Sequence, residues 1–148
     1  MIDPQSGSRG PVVVDTGVFA AKLLRRGAPL AATYRPLLEG RPFIISFLTV
    51  AEIRFGAQLA GWGPPRLQRL EQRFSRARIV WPGPDLVAAY VELRTACVRV
   101  GHALGQKAHE ADRWVAATAL WLDVQLVAHD NIFRGVPGLE LLSRLGDL

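Results

Sequence analysis

Short, unbroken apolar runs alternate along the chain with longer stretches in which apolar residues recur every three or four positions. The first run, Val12-Val13-Val14, ends at Asp15. It is β-branched and has no polar alternation, which fits a strand buried on both faces of a parallel sheet. Met1 to Pro11 reads as a flexible leader. A helix is expected from Val18 to Arg26, stopped by Gly27 and Pro29, and a second from Ala31 to Leu38, ending at Glu39-Gly40. Pro42 to Ser46 reads as a second strand, and Ser46 or Thr49 can cap the helix after it, which runs toward Leu59 and ends before Gly61. Gly63-Pro64-Pro65 breaks the chain. The next helix, Arg66 to Ala77, turns Leu67, Leu70, Phe74 and Ala77 inward. Ile79-Val80-Trp81 is a third strand, followed by a turn at Pro82-Gly83-Pro84 and a long helix from Asp85 to Val100, closed by Gly101. A loop at Ala103 to Gln106, a helix from His109 to Leu122, a fourth strand from Val124 to Ala128 and an edge strand at Glu140 to Leu142 complete the pattern.

Strands that alternate with helices pair in parallel, with helices on both faces and right-handed crossovers. The expected fold is therefore a three-layer α/β/α domain over residues 12–148. At 148 residues the chain suits one domain with its own core. The lone cysteine, Cys97, forms no internal disulfide and lies in a helical run, so it reads as a buried, inert thiol. No stretch has the roughly 18 uncharged apolar residues of a membrane span, and the leader lacks the apolar centre of a signal peptide. The expectation is a soluble cytoplasmic protein. The net charge of +5 favours a polyanionic partner, although an arginine-rich composition alone does not establish one.

Candidate chemistry enters with four carboxylates. Ligands of open parallel sheets bind beyond the carboxyl ends of the strands. Asp15 directly follows the first strand, Asp130 follows the fourth after His129, and Glu52 lies early in the helix that leaves the second. Asp112 opens the helix that feeds the fourth strand. That helix runs antiparallel to its strand, so its start lies at the same edge. Each of the four also has an ordinary reading as a turn or first-turn helix residue; their shared edge is what those readings leave unexplained. Clustered carboxylates repel and raise one another's pKa. A hard divalent cation such as Mg²⁺ or Mn²⁺ offsets that repulsion and equips the edge for phosphodiester hydrolysis.

At these residues the chain resembles the PIN-domain family, specifically the VapC-type toxins of bacterial toxin–antitoxin pairs. The four resembling segments fall in the family's order: Val12 to Phe19 around Asp15-Thr16, Thr49 to Gly56 around Glu52, Ala111 to Leu120 around Asp112, and Leu126 to Phe133 followed by Gly135 to Leu139. The resemblance implies a Mg²⁺- or Mn²⁺-dependent endoribonuclease that is homodimeric and held in check by a cognate antitoxin. Asp15 and Asp112 would be the principal metal ligands, Asp130 would complete the acidic pocket, and Glu52 would position a ligand or water. Thr16 would hydrogen-bond within the site. Arg113, His129 and Asn131 are further candidates to line the pocket, although His129 reads more simply as a loop histidine. Many members carry another acid two residues after the last; here Ile132 stands there, which points to one tightly bound ion.

Arg66, Arg69, Arg73 and Arg76 form a ridge about 100° around their helix from the apolar stripe. It reads either as a solvated flank or as a surface that contacts phosphates or a partner. His102, His109 and His129 have no zinc spacing. Trp114 and Trp121, seven apart, read as core residues. Two functions stay open: a nuclease toxin or housekeeping RNA-processing nuclease, and a catalytically weak protein that uses the fold to bind an antitoxin or RNA.

Overall fold

A computed structural model describes residues 9–146; positions 1–8 of the expected leader, and 147–148, lie outside the described residues. Within the leader, Arg9 donates to the carbonyl of Pro36 (2.7 Å) and Gly10 accepts from Arg41 (2.9 Å).

Five strands form one wholly parallel sheet: β1 (Val12–Val14), β2 (Phe43–Ser46), β3 (Ala77–Val80), β4 (Leu126–Val127) and β5 (Leu141–Leu142), in the order β3-β2-β1-β4-β5. Because successive side chains point to opposite faces, β1 supplies both halves of the core. Val12 and Val14 pack with Phe19, Tyr34, Ile45, Leu70 and Phe74 on one side. Val13 packs with Ile44, Leu86, Leu93, Cys97, Val115 and Leu126 on the other. The first face is covered by α1 (Thr16–Ala20), α2 (Ala28–Leu38), α3 (Phe47–Leu59) and α4 (Pro64–Ser75), the second by α5 (Pro84–Val100) and α6 (Glu110–Leu122). This is the expected three-layer α/β/α arrangement. Cys97 is fully buried, and burial pushes its thiol above the ordinary range, as an inert role requires.

Several local expectations need correction. The helix expected over 18–26 starts at Thr16, because the Asp15 carboxylate caps it, and breaks after Ala20 into two 3-10 turns, Ala21–Leu23 and Arg25–Gly27. The break has a steric partner: a Cβ on Gly27 would stand 2.0 Å from the carbonyl oxygen of Ala21, so only glycine lets the chain fold back there. Pro29 lies in the first turn of α2 instead of ending a helix, and Pro64 and Pro65 open α4 instead of merely breaking the chain. The first turn needs no amide donor, so proline costs nothing there. Of the α4 stripe, Leu70 and Phe74 are buried, Leu67 is exposed, and Ala77 already belongs to β3. Trp114 stacks on Tyr90 (4.1 Å) and meets Phe47 edge-on, whereas Trp121 is 39% exposed and is not a core residue. No helix among the described residues is long and apolar enough to cross a membrane.

Candidate active site

The strand order reverses at β1 and β4, the topological switch point where open parallel sheets leave a crevice beyond their carboxyl ends. Asp15 leaves β1 into that crevice. Its Oδ1 accepts from the Val18 N–H (2.9 Å), and the His129 N–H also reaches its carboxylate. Two donated bonds do not compensate for a position only 8% exposed. Burial, with added repulsion from Asp130 and Asp112, raises the Asp15 carboxyl from 3.8 to about 6.

The other carboxylates stand around it at the ends of different elements. Asp112, in the first turn of α6, is raised by burial and by Asp130, against a lowering by His109, whose Nδ1 lies 3.6 Å from Oδ2. Glu52, early in α3, is raised by burial and by Asp112, and is lowered by a hydrogen bond from Thr16 (3.4 Å). Asp130 follows β4 and caps the 3-10 turn Asn131–Phe133 through the Ile132 N–H (3.0 Å). Asp130 and Asp112 both act as like charges on Asp15, Asp130 acts likewise on Asp112, and Asp112 acts on Glu52. Among the described residues, no three His, Cys, Asp or Glu side chains close into a group that could hold a metal ion. The four interact as charges across a gap, not as a finished ligand cage.

The remaining expected residues divide. Thr16 belongs to the edge: its hydroxyl meets Thr49 Oγ1 at 2.9 Å as well as Glu52, and so ties α1 to α3. Asn131 is exposed beside Asp130. His129 contributes through its backbone, while Nδ1 lies 2.8 Å from the Tyr34 hydroxyl. Arg113 was expected to line the pocket. Instead it is 1% exposed, donating to Tyr90 Oη (2.9 Å) and to the carbonyls of Leu104 and Gln106. A buried guanidinium needs such acceptors, so Arg113 holds the 103–106 loop against α5 and α6 and is committed away from the crevice.

Two residues at the site were not named as site residues from the sequence. Thr49 is fully buried and its hydroxyl faces Thr16. Tyr34, also fully buried, donates to the Ala128 carbonyl (3.1 Å) and accepts from the Arg144 N–H (2.8 Å), so it joins α2 to the strand end that carries Asp130. A lone tyrosine within an amphipathic helix carries no sequence signal for that reach.

Comparison with known proteins places these features in a family. The PIN domain family model matches residues 12–139. Among solved structures, VapBC2 from Rickettsia felis, bound to a DNA fragment from its promoter, contains a chain of similar fold (20% identity, TM-score 0.73, covering 90% of this chain and 98% of that one). So do VapBC-1 from nontypeable Haemophilus influenzae (22%, 0.67, 90% and 97%) and VapBC-5, of the VapBC family of toxin–antitoxin systems, from Mycobacterium tuberculosis (24%, 0.62, 90% and 96%). At these identities the likeness is one of fold. A search of curated proteins finds no match.

Proposed function

The chain belongs to the PIN-domain family, and from that premise we propose that it is an endoribonuclease of the VapC kind, the toxin of a toxin–antitoxin pair, working with Mg²⁺ or Mn²⁺. The observation that carries this reading is the crowding of Asp112 and Asp130 on Asp15 at the switch point, with Asp15 buried and raised to about 6. A fold keeps such an edge at a cost to itself. Perturbed carboxylates in a crevice mark a functional site.

The donor set fits a hard divalent cation, because it offers carboxylate oxygens and no thiolate. Asp15, Asp112 and Asp130 would hold the ion. With Ile132 at the position of a further acid, one ion is expected. When bound, such an ion polarises a phosphodiester oxygen and lowers the pKa of a water. The chain's own residues do the rest. The Val18 and His129 amides fix the Asp15 carboxylate, so it presents its charge without reorganising. Thr16 holds Glu52 and is itself held by Thr49, leaving Glu52 to orient a water at the crevice mouth. Asn131 stands at the exposed side of Asp130, beside the path of a strand. His129 lines the crevice through its backbone.

VapBC-5 is a member of the VapBC family of toxin–antitoxin systems, which supports a cognate antitoxin as this chain's partner; a homodimer belongs to the same reading. The test is cleavage of total cellular RNA by the purified chain with Mg²⁺ or Mn²⁺, with EDTA, and beside Asp112→Asn. Discrete fragments that need both metal and Asp112 are expected. Cleavage that survives Asp112→Asn overturns the reading. A second reading, a PIN-fold protein that binds RNA or an antitoxin without cutting, draws on Ile132 and on the open spacing of the carboxylates; metal binding with no cleavage would favour it.

A further inference from the structure

A carboxylate edge repels the polyanion it is proposed to cut, so something else must hold the strand. Arg113, next to Asp112 in the chain, is spent on carbonyls and Tyr90. A different surface lies past the C-terminal end of α1. Between the 3-10 turns that follow α1 and the length of α4 lies a cavity of about 450 Å³, within the range of small-ligand sites. Six of its lining residues are cations: Lys22, Arg25, Arg66, Arg69, Arg73 and Arg76. No acid lines it.

Two of these cations are positioned. Arg66 donates to the Leu23 carbonyl (3.3 Å) and lies over the Trp62 ring at 4.0 Å. Arg73 donates through Nε to the Phe19 carbonyl (2.8 Å) and lies over the Phe19 ring at 4.4 Å. Each spends one donor on its anchor, and a guanidinium has five, so both stand oriented with donors to spare. Burial and the charge of Arg76 pull the Arg73 guanidinium below its ordinary value, a sign that the concentrated charge is not neutralised from within. Among the described residues none of the six forms an ion pair, and Lys22, Arg25, Arg69 and Arg76 are exposed.

Resting on the nuclease reading above, we infer that this basin binds the phosphate backbone of the RNA strand whose scissile bond lies at the carboxylate edge. Planar forks match phosphate oxygens in pairs, and two of them are already oriented. The basin lies at the other end of α1 from the edge. Asp15 caps α1, Arg73 anchors on Phe19 of the same helix, and Lys22 stands on the order of 10 Å along the chain axis from Thr16. That is a few nucleotides along one strand. The strand is held at one end of α1 and cut at the other.

The test is binding of single-stranded oligouridylate to the full chain in EDTA, read by fluorescence anisotropy across a salt series, so that affinity is measured without cleavage. The variant is Arg69→Ala with Arg76→Ala, both exposed and without side-chain hydrogen bonds among the described residues; Arg99→Ala, an exposed arginine of α5, is the control. The double variant should bind about tenfold more weakly at low salt, and its salt slope should shrink by about 1.4, two single-strand phosphates' worth. Arg99→Ala should match the unaltered chain. Equal affinity and slope in the double variant overturn the inference. So does loss of binding to polyglutamate with RNA binding intact, which assigns the basin to an acidic protein segment. Failure of the nuclease reading shows separately, as absence of metal-dependent cleavage with this binding intact.

Discussion

The carboxylate edge and the arginine basin lie toward opposite ends of one short helix, and they carry uncompensated charge in different ways. At the edge, Asp15 is nearly sealed from water and has two amide donors, and its carboxyl still rises to about 6. In the basin, guanidiniums lie on the Trp62 and Phe19 rings and on backbone carbonyls, with their outer donors toward the cavity. The contrast follows from hydration. A compact carboxylate loses much when water leaves it, whereas a delocalised, weakly hydrated guanidinium keeps its charge on an aromatic face. The edge therefore holds a buried carboxylate against its neighbours, which under the proposed function a cation would relieve, while the basin presents its charge outward.

The sharpest way to break the comparison is to neutralise the edge. Asp15→Asn keeps the side-chain oxygen that caps α1 and removes the buried charge. Under the proposed function, cleavage should fall by about a thousandfold, while the metal-free protein should gain stability at neutral pH, a combination that urea denaturation and a cleavage assay separate. Loss of both would make Asp15 a structural residue.

Protonation gives the next largest effect. A carboxyl that titrates near 6 when folded and 3.8 when unfolded favours the folded state while protonated. Its contribution, about 3 kcal/mol at most, is fully present below pH 3.8 and is lost as pH rises through 6. Between pH 5 and 7 the loss is about 1 kcal/mol, and the raised carboxyls of Asp112 and Glu52 act in the same direction. Urea denaturation in EDTA should show stability falling over this interval, and added Mg²⁺ or Mn²⁺ should restore it at pH 7. Stability that rises with pH in EDTA would show that the edge is not strained.

The basin depends instead on backbone shape. Gly27→Ala places a methyl against the Ala21 carbonyl and disturbs the turns that carry Lys22 and Arg25. It should cost about 2 kcal/mol and weaken RNA binding more than that of Arg99→Ala, with the carboxylates untouched. An unchanged melting temperature would show that the turn yields freely. Smallest of all, Tyr34→Phe leaves the Ala128 carbonyl and the Arg144 amide without their hydroxyl partner. About 1 kcal/mol of stability should go, with a modest drop in cleavage as the strand end carrying Asp130 loosens.

Much of this molecule was legible from the order of its residues. Val12-Val13-Val14 before Asp15, and Leu126-Val127 before Asp130, mark strands by unbroken apolarity. The alternation of strands and helices then dictates a parallel sheet and puts four acids at one edge. Local patterning also located most helices, because caps and 3.6-residue stripes act over a few neighbours. It misjudged what depends on distant partners. Leu67 and Trp121 sit on inward-looking stripes but reach past the sheet. Arg113 sits beside a candidate ligand, yet it is drawn to carbonyls of another loop. Tyr34 meets the end of β4 across 94 residues. The fold of residues 18–26 hinges on Gly27 approaching Ala21, a contact that periodicity does not encode. The arginines of α4 were visible as a ridge, but their meeting with Lys22 and Arg25 around one cavity was not. By itself the sequence determined the layers, the edge and the kind of charge each would carry. Tertiary structure alone decided which charges are buried, which are anchored and which face each other, because burial and Coulomb energy depend on distances through space that chain order leaves open.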